Sequence, residues 1–284
     1  MTPNYRTLPE ALWRLYQHSG FAMAGAVAFS FIVSLFPFCI FLGAVAGMFA
    51  VGPDLAKEAV ARLFDILPQR VAEGLAPQVE AIMSRSRLDL LTGGALIALF
   101  FATSATETMR TALNGAYRVK EDRPYPLCLL ISALFVFVTA LSMLVLTWFV
   151  VVAPHIAEKW EPSWARTLLA SGKLDWVTRY GLAGAVIATQ LFAYHLWLAA
   201  GHRTLRQVWP GVAVSVVIWL LTAGLYSYYL NFSDYTRFYA GLSQLMVALL
   251  FFQVTAIIIM LGAEVNRGIM EFDKVLNGGD PEKM

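Results

Sequence analysis

Few residues in this chain have the type and spacing to do chemistry. Glu107 has Arg110 three residues on, and Glu264 has Arg267 three residues on. On a helix that spacing makes a local ion pair, which is the simplest reading of both. The larger reading gathers Glu107, Arg110, Asn114, Arg118, Arg123, Glu264 and Asn266 into one polar cluster able to hold an anionic lipid headgroup. His18, His155, His195 and His202 are scattered, with no HExxH and no paired metal-ligand spacing. His195, beside Tyr194, reads as a satisfied interfacial histidine. There is no P-loop and no GxSxG. A nuclease would need clustered metal ligands or acid–base pairs on a basic surface, and neither is visible. The expectation is therefore no catalytic residue, no metal, no cofactor and no enzyme activity. Cys39 and Cys128 fall in or beside apolar runs and read as buried reduced thiols.

The elements that must position these residues are apolar. Six stretches are long and almost free of charge: 21–51, 90–106, 127–152, 180–200, 208–230 and 240–263. About 20 mostly apolar residues cross about 30 Å of hydrocarbon as a helix. In lipid, backbone amides must pair within the segment, so each stretch should be helical. Composition agrees: 58% of residues are hydrophobic and 14% charged, against about 25% charged in soluble domains. The expected fold is all-α, one polytopic membrane domain over 1–284 with six transmembrane helices. Residues 1–20 form an N-terminal amphipathic segment and 264–284 a polar tail. The run after the N-terminal segment is far longer than the 7–15 residues of a signal-peptide core, so the first span is expected to stay as an anchor.

The first span, at 1.5 Å per residue, would reach about 46 Å if straight. It contains Ser34-Leu35-Phe36-Pro37-Phe38, and proline removes a backbone bond and clashes one turn back. A break or kink near 33–37 is expected. It would leave a freed carbonyl at depth, either satisfied by neighbours or lining a polar cavity. No charged residue lies at the centre of any span, which counts against a strongly ion-coupled pump. The uncharged polar residues Ser30, Ser34, Gln190 and Gln253, with Pro37, are the candidate lining of a path. Gly43 and Gly47, and the stripe Gly94, Ala98 and Ala102, read as helix-packing surfaces.

Between the first two spans, residues 52–88 show apolar positions at helical spacing, including Val60, Phe64, Val71 and Leu75, interrupted by Pro68 and Pro77. They predict short amphipathic helices that lie in the interface or cap the bundle. Trp160, Trp164 and Trp176 in the loop 153–179 suit headgroup level. Net charge is +2, with no basic stripe for nucleic acid. With both termini cytoplasmic the Lys+Arg count is 11 inside and 10 outside. The short loops, which weigh most, favour that orientation: Arg203 and Arg206 oppose Arg237 alone, and four basic residues sit in 103–126.

These stretches together resemble the YihY/BrkB family of bacterial inner-membrane proteins. The resemblance covers nearly the whole chain. It rests on Ala28-Phe29-Ser30-Phe31-Ile32-Val33-Ser34-Leu35-Phe36-Pro37, and on Thr111-Ala112-Leu113-Asn114-Gly115-Ala116-Tyr117-Arg118-Val119 followed by Arg123. Trp209-Pro210-Gly211, Tyr239-Ala240-Gly241-Leu242 and Leu261-Gly262-Ala263-Glu264-Val265-Asn266 complete it. The family more often reads Tyr-Gly-Ser where this chain has Tyr239-Ala240-Gly241. The resemblance implies six transmembrane helices in the plasma membrane. A historical label, ribonuclease BN, attaches tRNA processing to the family, and the residues here argue against it. The resulting expectation is a transporter or translocase of a lipid or other amphiphile in envelope maintenance. The alternative is a non-transporting scaffold or partner subunit. Membrane lipids are the expected partners; a homo-oligomer or a partner protein stays open.

Overall fold

Seven helices carry most of the described part of the chain, and the described residues between 57 and 77 are helical too. A computed structural model describes residues 8–48, 93–148, 184–232 and 243–276, together with 57–58, 60–61, 64, 71–73 and 75–77. The helices are α1 (Leu8–Gln17), α2 (Gly20–Met48), α3 (Gly93–Tyr117), α4 (Tyr125–Thr147), α5 (Gly184–Leu198), α6 (Leu205–Phe232) and α7 (Ser243–Leu276). The last five residues of α5, Tyr194–Leu198, wind as a π-helix. There is no strand among the described residues.

Four of these helices contain runs long and apolar enough to cross a membrane: Gly20–Val45, Tyr125–Thr147, Leu205–Thr222 and Leu245–Asp273. α3 has 25 residues, but Thr103, Ser104, Thr106, Glu107 and Arg110 make its second half polar. The described part of α5 is apolar and shorter. The loop 153–179, the link 231–239 beyond Phe232, the polar tail after Leu276 and most of 52–88 lie outside the described residues.

The first span decides one half of the expectation of a break or kink. α2 runs as a single 29-residue helix with Pro37 inside it, so no break occurs at 33–37. A proline deletes one N–H and leaves one carbonyl without its donor, which a packed helix can absorb. The turn before it is held from outside. The Ser34 hydroxyl donates to the Phe101 carbonyl of α3 at 3.1 Å, and the Ala105 amide donates to Ser34 Oγ at 3.2 Å.

α2 packs most extensively on α3, and α7 touches α1, α2, α3 and α6. Ala98 and Ala102 of α3 are buried, as the small-residue stripe predicts. Away from the helix ends, Leu35, Cys39, Leu42 and Val45 of α2 meet Val136 and Ala140 of α4 and Ala248 and Phe251 of α7. Val60, Phe64, Val71 and Leu75 are buried in the same cluster, so these positions of the first loop pack on the bundle. A second cluster joins Leu15 of α1 to Ala24, Met109, Leu113, Leu198 and Met260.

The tightest helix contact is one the GxxxG reading did not find. A Cβ on Gly43 would meet open space. A Cβ on Gly211 of α6 would collide with the Gly262 carbonyl of α7, and one on Gly262 would strike Ser215 Oγ and the Gly211 carbonyl. Such backbone approach gains van der Waals contact where hydrocarbon offers no hydrophobic drive between helices. The outer surface is apolar: Leu96, Ile97 and Phe100 on α3, Leu130 and Leu134 on α4, and Leu220, Leu221 and Leu225 on α6 are all exposed. Surfaces of that kind suit a lipid solvent rather than water.

Candidate functional site

The polar groups of α3 fall in one stripe. Glu107, Arg110, Asn114 and Tyr117 follow one another at spacings of three and four, so they share a face. The helix stops just beyond them. Arg118 adopts φ +53°, its amide donates to the Gly115 carbonyl at 3.1 Å, and the Val119 amide donates to the Asn114 carbonyl at 3.0 Å. This is the pair of bonds that closes a helix around a left-handed residue, a position that normally takes glycine. A side chain there costs roughly 1–2 kcal/mol. The cost places the Arg118 guanidinium where it can reach α7 and α1.

One hub is Glu121, in the turn between α3 and α4. It accepts hydrogen bonds from Arg110 at 2.6 Å, Asn114 at 3.0 Å and Arg123 at 2.6 and 2.8 Å. The Arg123 guanidinium is the main reason its carboxyl is held well below the usual carboxylate range, with Asn114 and Arg110 adding to it. Arg110 also pairs with Glu107 at 2.8 Å, as the local reading expects, and Ser132 of α4 donates to Glu107. Arg123 reaches on to the Trp197 and Leu198 carbonyls at 3.2 and 2.9 Å. The Ala200 amide donates to Asn114 Oδ1 at 2.7 Å. A cation at the end of α5 meets the negative pole of that helix.

The second hub is Glu264 on α7, which is fully buried. Arg118 donates to its two oxygens at 3.1 and 3.2 Å, and Arg14 of α1 lies 3.9 Å away. The local Glu264–Arg267 pair is not what forms. Arg267 pairs with Glu271 one turn on, and Arg14 also donates to Glu271 at 3.3 Å. Glu264 is instead taken by Arg118 and Arg14. His18 joins this hub: its Nδ1 lies 2.7 Å from the Arg14 carbonyl, and Arg118 Nε donates to its Nε2 at 3.0 Å. Arg118 Nη2 also lies 2.8 Å from His18 Nδ1.

A third set lies between the hubs. The Tyr117 hydroxyl is 2.9 Å from His195 Nδ1 and accepts from Asn266 Nδ2 at 3.2 Å. Asn266 Oδ1 accepts the Gly211 amide at 2.7 Å, in the turn that Pro210 disturbs. Arg203 stacks 3.6 Å above the Tyr117 ring and donates to the Ala200 carbonyl at 2.7 Å. Burial weakens the hold of Arg203 on its proton. His195 is fully buried, and its Nε2 has no partner among the described residues.

All seven members of the predicted polar cluster thus sit at one end of the bundle, in linked networks. Tyr117, Glu121, His195, Arg14, His18, Arg203 and Ser132 were not foreseen there. The signal available for Tyr117 was its place in the α3 stripe. Glu121, Arg14 and Arg203 gave none, since a charge in a loop or short helix reads as solvated.

The candidate path residues are placed differently. Ser30 Oγ lies 2.9 Å from Thr108 Oγ1, so both serines of α2 bond to α3. Gln190 is half-buried and accepts from Thr139 of α4 at 3.2 Å. Gln253 is half-buried beside Gly25, and Pro37 is half-buried in α2. Among the described residues no hydrogen bond links the serines to either glutamine. Cys39 and Cys128 are buried free thiols, and no group of three His, Cys, Asp or Glu residues is placed to hold a metal among the described residues.

Spanning helices, an apolar outer surface and a charged plate at one end define an α-helical integral membrane protein. The family model described as virulence factor BrkB matches residues 11–283, and the chain belongs to that family. That description names no reaction. A relative in Bacillus subtilis (strain 168), named a putative ribonuclease-like protein YfkH, is 24% identical over 91% of this chain and 93% of its own length. A UPF0761 membrane protein of Xanthomonas campestris pv. campestris (strain B100) is 24% identical over 92% of this chain. Another from Azoarcus sp. (strain BH72) is 22% identical over 88%. The matched region is 60% of the length of each of these two UPF0761 proteins. No solved structure matches the chain.

Proposed function

We propose that this protein is a six-span inner-membrane translocase that moves a lipid or another amphiphile between leaflets, with both termini cytoplasmic. The observation that carries the reading is Glu264: a fully buried carboxylate in a run able to span the membrane, held by arginines from two other elements. A buried carboxylate is costly unless it is paired, so its arginine partners are what keep it charged. Here they form a breakable closure. Arg118 and Arg14 would exchange the carboxylate for an anionic headgroup, with Glu107, Arg110, Asn114, Arg123 and Asn266 around it. Helix direction supports six passes. The C-terminal ends of α3 and α5, the N-terminal ends of α4 and α6, and the last part of α7 all meet at the polar end, beside α1. Arg203, Arg206, Lys120 and Arg123 at that end support its placement on the cytoplasmic side.

The test is reconstitution into liposomes carrying fluorescent lipid analogues of several headgroups, with a chemical quencher added outside. The expected result is faster loss of inner-leaflet signal than in empty vesicles, changed in Glu264→Gln and Arg118→Ala. No movement of any lipid class, with and without an ion gradient, overturns the proposal. One observation favours the scaffold reading: Ser30 and Ser34 bond to α3 instead of facing a path. That reading expects inactive vesicles and a stable co-purifying protein.

A further inference from the structure

α1 is built inside out for a helix in water. At 100° per residue, Leu8, Leu12, Tyr16 and Trp13 fall within an arc of about 140°. These four are 45%, 46%, 65% and 55% exposed. Pro9, also exposed, lies within the same arc, so its outward face holds no charge. The one basic residue, Arg14, points inward and is buried with Ala11 and Leu15. An aqueous surface helix has the reverse pattern.

The exposed arc is continuous with the outer surface of α2. The Trp13 and Tyr16 rings stack at 5.7 Å, and Tyr16 meets Phe21 at 6.5 Å edge to face. Phe21 is exposed near the start of α2, whose outward side continues through Phe29 and Val33. Only two residues separate α1 from α2. A second, separate observation sets the level. Tyr125, Trp197 and Trp209 are exposed at the same polar end, on α4, α5 and the start of α6. Trp and Tyr collect where hydrocarbon meets headgroups, because their rings are apolar and their N–H or O–H groups want water.

We infer that α1 is an interfacial helix, with Leu8, Leu12, Trp13 and Tyr16 seated in the acyl–headgroup boundary of the leaflet at the polar end. Helices of this kind bury their apolar face about 5–10 Å into the boundary. The occupant of the exposed face is lipid, not a second copy of the chain. Arg14 then ties a lipid-seated helix directly to Glu264 and Glu271 of α7.

The test uses the full chain in liposomes, with Leu12→Cys and, separately, Tyr16→Cys labelled with an environment-sensitive fluorophore. Cys39 and Cys128 are buried and stay unlabelled in the folded protein. Lys120→Cys, at an exposed position of the α3–α4 turn, serves as the water-facing control. The expected result is blue-shifted emission at 12 and 16, with most iodide quenching lost relative to 120. Quenching should be stronger by lipid nitroxides near the headgroup than by those at the chain end. Iodide quenching equal to that at 120 overturns the inference. So does shielding from iodide and lipid nitroxides alike, which would mean protein covers the face. Disulfide formation between copies at Leu12→Cys overturns it in favour of a dimer contact.

Discussion

The two carboxylate hubs look alike in chemistry and differ in reach. Glu121 collects donors from within the stretch 107–123, all close in sequence. Glu264 is held by Arg118 and Arg14, 146 and 250 residues away, and is fully buried. The first hub closes a local turn and fastens α5 to it. The second joins three distant elements and has no water to replace a lost partner. The lesson is that the same Arg–Glu bond is a fastener at one place and a tertiary commitment at the other. Its value depends on what remains buried when it breaks.

That contrast can be broken by substitution. Arg118→Ala leaves Glu264 with Arg14 alone at 3.9 Å, and the expected loss is about 3–5 kcal/mol of stability, the usual cost of stripping a buried carboxylate of its partner. Glu264→Leu should lose less than Arg118→Ala, because the cations left behind have other recourse: Arg14 keeps Glu271 at 3.3 Å and the Arg118 side chain is 19% exposed. Thermal unfolding in detergent, read by thiol-reactive dye reaching Cys39 and Cys128, measures both. A helix-packing control sharpens the point. Gly211→Ala should cost about 1–3 kcal/mol through overpacking, while Gly43→Ala should stay within about 0.5 kcal/mol.

At the local hub the expected effect depends on pH. The folded carboxyl of Glu121 sits below its usual value near 4.5. Its stabilising contribution is therefore whole above that value and fades as pH falls toward the depressed one. Glu121→Gln should be less stable than the parent at neutral pH, and the gap should close below pH 4.5. A gap that stays constant from pH 7 to pH 3 would remove Glu121 from the account.

Much of this architecture was readable before any coordinates. Long apolar runs announce α2, α4, α6 and α7, because lipid forces the backbone to pair within each segment. The members of the polar cluster were readable because charges flanking such runs have few places to go. The partners were less so. Arg14 sits in a short helix that reads as solvated, and nothing local says that it reaches α7. Glu264–Arg267 has the right spacing for a local pair, but spacing does not show that Arg118 competes for the carboxylate. GxxxG pointed to Gly43, whereas Gly211 and Gly262 meet across two helices and share no local motif. Pro37 shows a local rule with two outcomes, a break or a kink: the helix continues through it, so the break is excluded, and Ser34 one turn before it bonds to α3.

The contact of Gly211 with Gly262 has a mechanical consequence. Two rods touching main chain to main chain, with Asn266 bound to the Gly211 amide, have no side-chain cushion between them. A slip by one turn would bring a residue with a Cβ to the place where the two glycines now meet. The pair is thus built to act as one stiff lever, held main chain to main chain.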